Sequence, residues 1–152
     1  MRIEEDDLSR PQIHALLEEH LRNMYAISPA ESVHALDLDA LRRPDITFWT
    51  AWEGEELLGC GALKELDARH GEIKSMRTPQ NRRRRGAGRA LLHHIIAVAR
   101  SRGYQRLSLE TGPRATFQAA QNLYASAGFS YCAAFADYPT DDPHSEFMTL
   151  AL

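Results

Sequence analysis

The sequence predicts an α/β (α+β) domain built from about seven strands and about four helices. Short apolar runs of strand type are interspersed with longer segments in which apolar residues recur at helical spacing. Glycine and proline separate these segments, and no linker, repeat or low-complexity tract divides the chain. With 152 residues and 43% hydrophobic content, the chain is long enough to bury one core. We therefore expect a single domain over residues 1–152.

The N-terminal part of the chain is predicted to hold an edge strand and two helices. The strand is expected over residues 1–5. The first helix follows over about 11–25, because apolar side chains recur on one face at Ile13, Leu16, Leu17, Leu21 and Met24. A second, shorter helical segment is expected from about 30 to 41, with Ser28-Pro29 before it and Pro44 after it.

Three consecutive strands are predicted in the middle of the chain. The first two, over about 46–52 and 56–66, are joined by Glu53-Gly54-Glu55, a turn short enough for an antiparallel hairpin. The last of these three strands is expected over about 71–78. Counted from the N-terminus, it is the fourth strand.

The C-terminal half adds two helices and three strands. Glycine ends both helices: the one over about 86–102 stops at Gly103, and the one over about 115–127 stops at Gly128. The strands are expected over about 106–110, 131–135 and 147–150.

The overall charge argues against two classes of partner. The formal net charge is −3, whereas general nucleic-acid binders and proteins that bind acidic membranes are normally basic. No apolar run approaches the roughly 18 residues that cross a bilayer, and charged residues follow Met1 at once. We therefore expect a cytoplasmic protein with no nucleic-acid partner and no membrane partner.

The two cysteines are expected to be free. Cys60 and Cys132 lie far apart in the sequence, each in an apolar strand-like run, which favours two buried thiols over a disulfide. Their spacing does not match that of metal ligands, so we expect no metal.

The most informative segment connects the fourth strand to the third helix. After a proline turn it reads Arg-Arg-Arg-Gly-Ala-Gly over residues 83–88. Unpaired amides, the positive end of the helix dipole and cationic side chains converge on one anion at such a helix start. Gly86 and Gly88 allow the main chain to approach that anion closely. The pattern indicates the pyrophosphate of a nucleotide-type cofactor, whereas an isolated basic run would be a solvated face or a nucleic-acid patch.

The element order and three motifs resemble the GNAT superfamily of acyl-CoA-dependent N-acetyltransferases. Residues 83–88 match the family signature in full: Arg or Gln, two residues, Gly, one residue, then Gly or Ala. Met76-Arg77-Thr78 lies where the family's fourth strand offers backbone groups to the pantetheine arm. Residues 123–129, Leu-Tyr-Ala-Ser-Ala-Gly-Phe, are similar to the family's pattern near the cofactor thiol. The resemblance covers most of the chain and implies the GNAT fold, a central mixed, mostly antiparallel sheet of about seven strands flanked by about four helices.

The resemblance implies that acetyl-CoA is the cofactor. The residues expected to bind it, through backbone or side-chain groups, are Met76, Arg77, Thr78, Arg83, Arg84, Arg85, Gly86, Ala87, Gly88 and Arg89. Backbone amides of the loop would hold the pyrophosphate. A guanidinium fork would pair with the 3′-phosphate, and Arg82, Arg85 and Arg89 are equal candidates for it.

Acetyl transfer to an amine needs a base for the ammonium proton and an acid for the departing thiolate. The resemblance implies Glu72, early on the fourth strand, as the base and Tyr124 as the acid. Two alternatives stay open. Glu72 could instead pair with Lys74 on the same strand face, and Tyr124 could be a core tyrosine of an amphipathic helix. Reserve candidates for proton transfer are Ser108, Glu110 and His70.

The resemblance places the acceptor between the first two helices and the last strands. The substrate-binding candidates on the helical side are His20, Met24, Ser28, Glu31 and His34, and those opposite are Tyr131, Phe135 and Tyr138. For each histidine, a surface or hydrogen-bonded position is the favoured alternative to a substrate contact. Residues 28–37 and 44–49 resemble one bacterial branch of the superfamily, some members of which are linked to indole-3-acetic acid metabolism.

We therefore expect an N-acetyltransferase that moves an acetyl group directly from acetyl-CoA to a primary amine of a small molecule or peptide. The alternative is a non-catalytic acyl-CoA-binding regulator. A nucleic-acid-binding module is disfavoured, because one basic loop lacks the aromatic platform or reading helix of such modules. The sequence leaves the acceptor, the acyl chain preference and the oligomeric state open, with a homodimer as one alternative.

Overall fold

The computed structural model describes residues 1–79 and 86–152, and within them seven strands and four helices. The strands are β1 (Arg2–Glu5), β2 (Ile46–Glu53), β3 (Glu56–Asp67), β4 (His70–Arg77), β5 (Arg106–Thr111), β6 (Ser130–Cys132) and β7 (Glu146–Ala151). The helices are α1 (Pro11–Ile27), α2 (Leu38–Leu41), α3 (Ala87–Ser101) and α4 (Arg114–Ser126), with a 3₁₀ turn at Ala30–Ser32. The predicted order of elements is confirmed.

One predicted helix is wrong in extent. The segment expected over 30–41 forms the 3₁₀ turn and α2, because Val33 adopts an extended conformation with φ −91° and ψ 113°. The side chain of Asp37 then accepts a hydrogen bond of 2.9 Å from the amide of Ala40 and starts α2 as a new helix. The result is an irregular connection between α1 and α2 that contributes His34 to the site below.

The last hairpin also differs from the prediction. β6 ends at Cys132 instead of continuing to Phe135, because its partner β7 begins at Glu146 and pairs Cys132 with Phe147. The β6–β7 ladder of the described residues ends at that rung, and Glu146 of β7 pairs with Thr111 of β5. Residues 133–145, here called the β6–β7 loop, therefore leave the sheet and fold over one of its faces.

The sheet is mixed and mostly antiparallel, as predicted. Its strand order is β1-β2-β3-β4-β5-β7-β6, and β4 and β5 form its parallel pair. Their register runs from His70↔Arg106 to Ile73↔Leu109. Further along β4, the chain bulges against β3 near Ser75, which has a positive φ of 53°. β4 and β5 diverge at this point.

Hydrophobic side chains cover both faces of the sheet. On one face α3 contributes its apolar stripe to a core that contains Leu63, Ile73 and Leu109 from the strands. On the other face Ile13 and Leu17 of α1 pack with Phe48. Each large apolar side chain buried in this way stabilises the fold by about 1.5–3 kcal/mol. Among the described helices, none is both long enough and apolar enough to span a bilayer.

The two cysteines are free, as expected, although their burial differs. Cys60 is fully buried in the core beneath α1, and its thiol donates to the carbonyl of Ser75 over 3.3 Å. Cys132 is half-buried near the edge of the sheet.

Candidate active site

A cleft opens where β4 and β5 diverge. Residues 72–76 of β4 form one side of it, and residues 109–112 of β5 and the following turn form the other. Side chains from α1, from the α1–α2 connection and from α4 close its ends and enclose a volume of about 100 Å³. Because the strands no longer bond to each other here, both expose backbone groups to this space. We refer to it as the β4–β5 cleft.

The start of α3 lies beside the end of β4. A Cβ placed on Gly88 would lie 4.0 Å from Cγ2 of Thr78 and 3.5 Å from Leu123 of α4. Gly86 precedes the helix with a φ of +82°, a left-handed conformation that glycine adopts without strain. The first residues of α3 therefore lie close to α4 and to the end of β4.

The predicted cofactor residues occupy different surroundings. Met76 lines the β4–β5 cleft, and Gly86, Ala87, Gly88 and Arg89 form the start of α3, with Arg89 exposed. The side chain of Arg77 is directed to α1, where it donates 2.8 Å to Glu19. Arg82, Arg83, Arg84 and Arg85 lie outside the described residues.

Glu72 is held in a buried hydrogen-bonded group. Its side chain is 3% exposed, and its Oε2 accepts a hydrogen bond of 2.5 Å from the Tyr138 hydroxyl. The same oxygen lies 3.5 Å from Nζ of Lys74, which also donates 2.8 Å to Tyr138. The ion pair with Lys74 that the sequence left open as an alternative is therefore formed.

Glu110 presents a second carboxylate to the cleft. Burial raises its pKa to about 7, against the opposing effects of a hydrogen bond from Ser145 and of the nearby Lys74 charge. The Ser145 hydroxyl donates 2.8 Å to Oε2 of Glu110. A carboxylate with this pKa exists in both protonation states near neutral pH, which suits a general base.

Tyr124 lies on α4 and lines the β4–β5 cleft. It is 6% exposed, and its ring packs edge-on against Phe129 at a centroid distance of 5.8 Å. Burial raises its pKa above the ordinary value of 10. The hydroxyl is therefore protonated at neutral pH and available as a hydrogen-bond donor.

The predicted acceptor residues separate into two groups. His20, Met24 and His34 line the β4–β5 cleft, whereas Ser28 and Glu31 do not. Ser28 caps the end of α1, and Glu31 is exposed on the 3₁₀ turn.

The aromatic acceptor candidates predicted on the opposite side also lie in two different places. Tyr138 and Phe135 of the β6–β7 loop pack with Phe147. They cover the hydrogen-bonded group of Glu72 and Lys74, to which the Tyr138 hydroxyl belongs. Tyr131 lies elsewhere, with its hydroxyl on Gln121 and its ring under the guanidinium of Arg114.

Two reserve candidates for proton transfer lie outside the cleft. His70 and Ser108 share a hydrogen bond of 2.7 Å, and Ser108 is linked onward to Thr149. His70 borders a separate, open depression of about 580 Å³ near the β3–β4 turn. Neither residue lines the cleft, although Ser108 pairs with Glu72 across the parallel strands and the His70 ring lies 5.6 Å from the Phe135 ring.

Sequence analysis missed three contributors. Ser75 forms the bulge, Ser145 bonds to Glu110, and Gly112 packs against the Phe117 ring so closely that a Cβ would have no room. Gly112-Pro113 directly after a strand was an available signal for a tight backbone position. The role of Ser145 depends on how the β6–β7 loop folds, and no local pattern announces it.

Two N-acetyltransferase or acetyltransferase relatives are similar in sequence to this chain over most of its length. It is 59% identical over 152 residues to the uncharacterized N-acetyltransferase YsnE of Bacillus subtilis (strain 168), covering 100% of both chains. It is 39% identical over 135 residues to the IAA acetyltransferase of Azospirillum brasilense, covering 88% of this chain and 86% of the relative.

The fold has close counterparts among solved structures. The crystal structure of a Bacillus subtilis acetyltransferase in complex with CoA superposes with a TM-score of 0.72 at 20% identity, covering 99% of this chain and 98% of the other. The model of the acetyltransferase (GNAT) family matches residues 13–129, a span that includes α1, the strands around the β4–β5 cleft, the start of α3 and Tyr124. The chain therefore belongs to the acetyltransferase (GNAT) family.

Proposed function

We propose that this protein transfers an acetyl group from acetyl-CoA directly to the nitrogen of a primary amine. The observation that carries the proposal is the β4–β5 cleft, which places a carboxylate with a pKa of about 7 and a buried tyrosine at one divergence of the sheet. The adjoining glycine-rich helix start supports a CoA-type cofactor, as does the CoA complex of a protein with the same fold.

The cofactor residues follow from this placement. The amides at the start of α3 would hold the pyrophosphate, since the first turn of a helix leaves its N–H groups unpaired and carries a positive dipole. The backbone around Met76 would hold the pantetheine arm along the exposed edge of β4. The arginines of residues 82–85 and Arg89 supply the cations for the remaining phosphate.

The reaction begins with loss of a proton from the acceptor's ammonium group. We assign this proton to Glu110, whereas sequence analysis favoured Glu72. The Glu72 carboxylate already accepts from Tyr138 and pairs with Lys74, and protonating it would break that pair. Glu110 has a pKa near neutrality and takes up a proton at lower cost.

The free amine then attacks the thioester carbonyl carbon. A C–N bond forms, the C–S bond breaks, and the electron pair of that bond leaves on the CoA sulfur as a thiolate. The nitrogen still carries one proton more than an amide holds, and this proton passes to the thiolate, so that the products are the neutral amide and the free CoA thiol. We assign the Tyr124 hydroxyl the role of hydrogen-bond donor to this sulfur. Since its raised pKa exceeds that of a thiol, about 8.5, hydrogen bonding is favoured over complete proton transfer.

Direct transfer fits the state of the cysteine nearest the cleft. The Cys60 thiol is fully buried against the carbonyl of Ser75, and burial raises its pKa to about 12. It remains protonated at neutral pH and is a poor nucleophile. An acyl-enzyme intermediate on Cys60 is therefore disfavoured.

The test is an acceptor panel with acetyl-CoA and detection of the released thiol. The panel contains amino acids, polyamines, arylamines and peptide N-termini. We expect thiol release with at least one class and initial-rate kinetics in which both substrates bind before product leaves. Acetyl-CoA binding with no thiol release on any acceptor would instead identify an acyl-CoA-binding regulator, and absence of binding would reject both functions.

A further inference from the structure

Three buried polar atoms without hydrogen-bond partners belong to residues that line the β4–β5 cleft. They are Nδ1 of His20, Nε2 of His34 and Oγ of Ser75. An unsatisfied buried polar group costs about 1–3 kcal/mol, and its persistence calls for a specific explanation. The three atoms come from α1, the α1–α2 connection and the β4 bulge, so folding alone brings them together. A ligand in the cleft would supply their missing partners.

The cations near this group are each paired with a carboxylate, Arg77 with Glu19 over 2.8 Å and Lys74 with Glu72 over 3.5 Å. Besides burial, the groups that act on the His20 ring are the cations Arg77 and Lys74 and the anion Glu19. Lys74 also reaches the His34 residue, donating 3.1 Å to its carbonyl oxygen. Glu72, two residues before Lys74 on β4, balances the Lys74 charge. The hydrogen-bonding groups that this wall leaves without partners are therefore the two imidazoles and the Ser75 hydroxyl, which can donate to a carboxylate.

The β5 wall of the cleft contributes a carboxylate. Glu110 stands on β5 and attracts an ammonium group when it is ionised. The cleft thus holds unpartnered hydrogen-bonding groups on one wall and a carboxylate on the other, around a volume of about 100 Å³. A ligand that satisfies both walls carries a carboxylate and an ammonium group a few atoms apart.

We propose that the acceptor is a small zwitterionic amino acid, with its carboxylate bound by His20, His34 and Ser75 and its ammonium group presented to Glu110. This inference rests on the proposed function and adds the class of substrate. A neutral imidazole donates through one nitrogen, and a bound carboxylate selects the tautomer whose N–H faces it. The small cleft favours short side chains.

The first experiment compares acceptors that differ only at the carboxylate. Glycine and L-alanine are tested against glycinamide, L-alaninamide and ethylamine, with acetyl-CoA and thiol detection. We expect kcat/KM to be at least about 100-fold higher for the two amino acids, because a site built to bind a polar group rejects analogues that lack it. Equal or better use of the amides and ethylamine would overturn the proposal and leave the acetyltransferase function standing.

The second experiment uses matched histidine variants. His20→Phe and His34→Phe remove a ring nitrogen at the cleft while keeping an aromatic ring. His94→Phe is the control, because His94 also has a buried, unpartnered Nε2 but lies on α3 against Trp49. We expect the cleft variants to raise KM for the amino acid at least 10-fold, with KM for acetyl-CoA unchanged, and the control to change neither. Equal effects of all three variants would reject the assignment.

A binding measurement covers the case in which none of these amines is acetylated. Calorimetry of the CoA-loaded protein with glycine, L-alanine and glycinamide reports carboxylate-selective binding without turnover. Selective binding of the amino acids supports the proposal. Equal binding, or none, overturns it, while loss of the proposed function would appear separately as absence of thiol release across the wider amine panel.

Discussion

The Tyr138 hydroxyl donates a hydrogen bond of 2.5 Å to Oε2 of Glu72, across 66 positions of sequence. Burial and the neighbouring Glu72 carboxylate raise the pKa of Tyr138, so the hydroxyl stays protonated and keeps donating. The Tyr138 ring packs at the same time against Phe135 and Phe147. Glu72 therefore fastens the β6–β7 loop to the sheet, and this role competes with one in proton removal.

The first prediction separates the two carboxylates. In the native enzyme kcat/KM should rise with pH through about 7, because Glu110 accepts a proton only when ionised. Glu110→Gln should remove this limb and lower the rate by about 10²–10⁴-fold. Glu72→Gln should keep the limb and shift it to lower pH, since the Glu72 charge helps to raise the pKa of Glu110.

Initial-rate measurements of both variants between pH 5 and 9 check this assignment. If Glu72→Gln abolished the limb while Glu110→Gln retained it, the base would be Glu72, as sequence analysis favoured.

The second prediction concerns stability. The pKa of Glu110 is raised from 4.5 to about 7 in the folded state, so the folded protein binds its proton more tightly than the unfolded chain. This contribution is fully present below about pH 4.5 and is lost as pH rises through 7, a change of about 3 kcal/mol. Glu110→Gln should flatten that part of the stability curve. Denaturant unfolding at pH 5.5 and pH 8.5 measures it, and a pH dependence identical in both proteins would contradict the raised pKa.

The third prediction concerns the Tyr124 hydroxyl. Tyr124→Phe keeps the ring against Phe129, so the melting temperature and acetyl-CoA affinity should be almost unchanged. The chemical step should slow by about 10- to 10⁴-fold, since a hydrogen bond to the leaving sulfur is lost. Single-turnover kinetics and thermal melting test the two effects together. A variant with normal turnover and a lowered melting temperature would make Tyr124 a core residue.

The fourth prediction concerns the start of α3. Gly88→Val should weaken acetyl-CoA binding by about 100-fold, the equivalent of two charge-assisted hydrogen bonds. The fold should persist, because a Cβ at this position meets only ordinary contacts at 3.5 and 4.0 Å and valine is no worse a helix former than glycine. Calorimetry should place Gly88→Ala between valine and the native protein. Native affinity in the valine variant would remove this amide from the cofactor site.

The fold could be predicted from sequence because its elements are marked locally. Glycine ends α3 and α4, and the turn around Gly54 fixes the β2–β3 hairpin. The segment after the 3₁₀ turn was the exception, since Val33 is extended by its surroundings and only the Asp37 cap begins α2.

Side chains of the site were less predictable than its elements. The motif around Tyr124 marked a residue of the cleft, whereas the pKa of Glu110 depends on burial and on Ser145 from the distant β6–β7 loop. Ser28 fell outside the cleft because α1 continues to Ile27, two residues beyond the predicted end. Properties that arise from contacts between remote segments have no signature in either segment alone.

The divergence of β4 from β5 after the Ile73↔Leu109 rung also affects the dynamics of the free protein. Beyond that rung β4 still pairs with β3 and β5 with β7, but amides that point from one of the two diverging strands toward the other have no ladder partner there. Those amides should exchange deuterium faster than the paired amides at residues 70–73. A CoA-type ligand lying along both edges would act as the missing strand. Its binding should slow exchange at both strand ends and raise the unfolding free energy by RT ln(1 + [L]/Kd). The enzyme would thus complete its own sheet only in the presence of its cofactor.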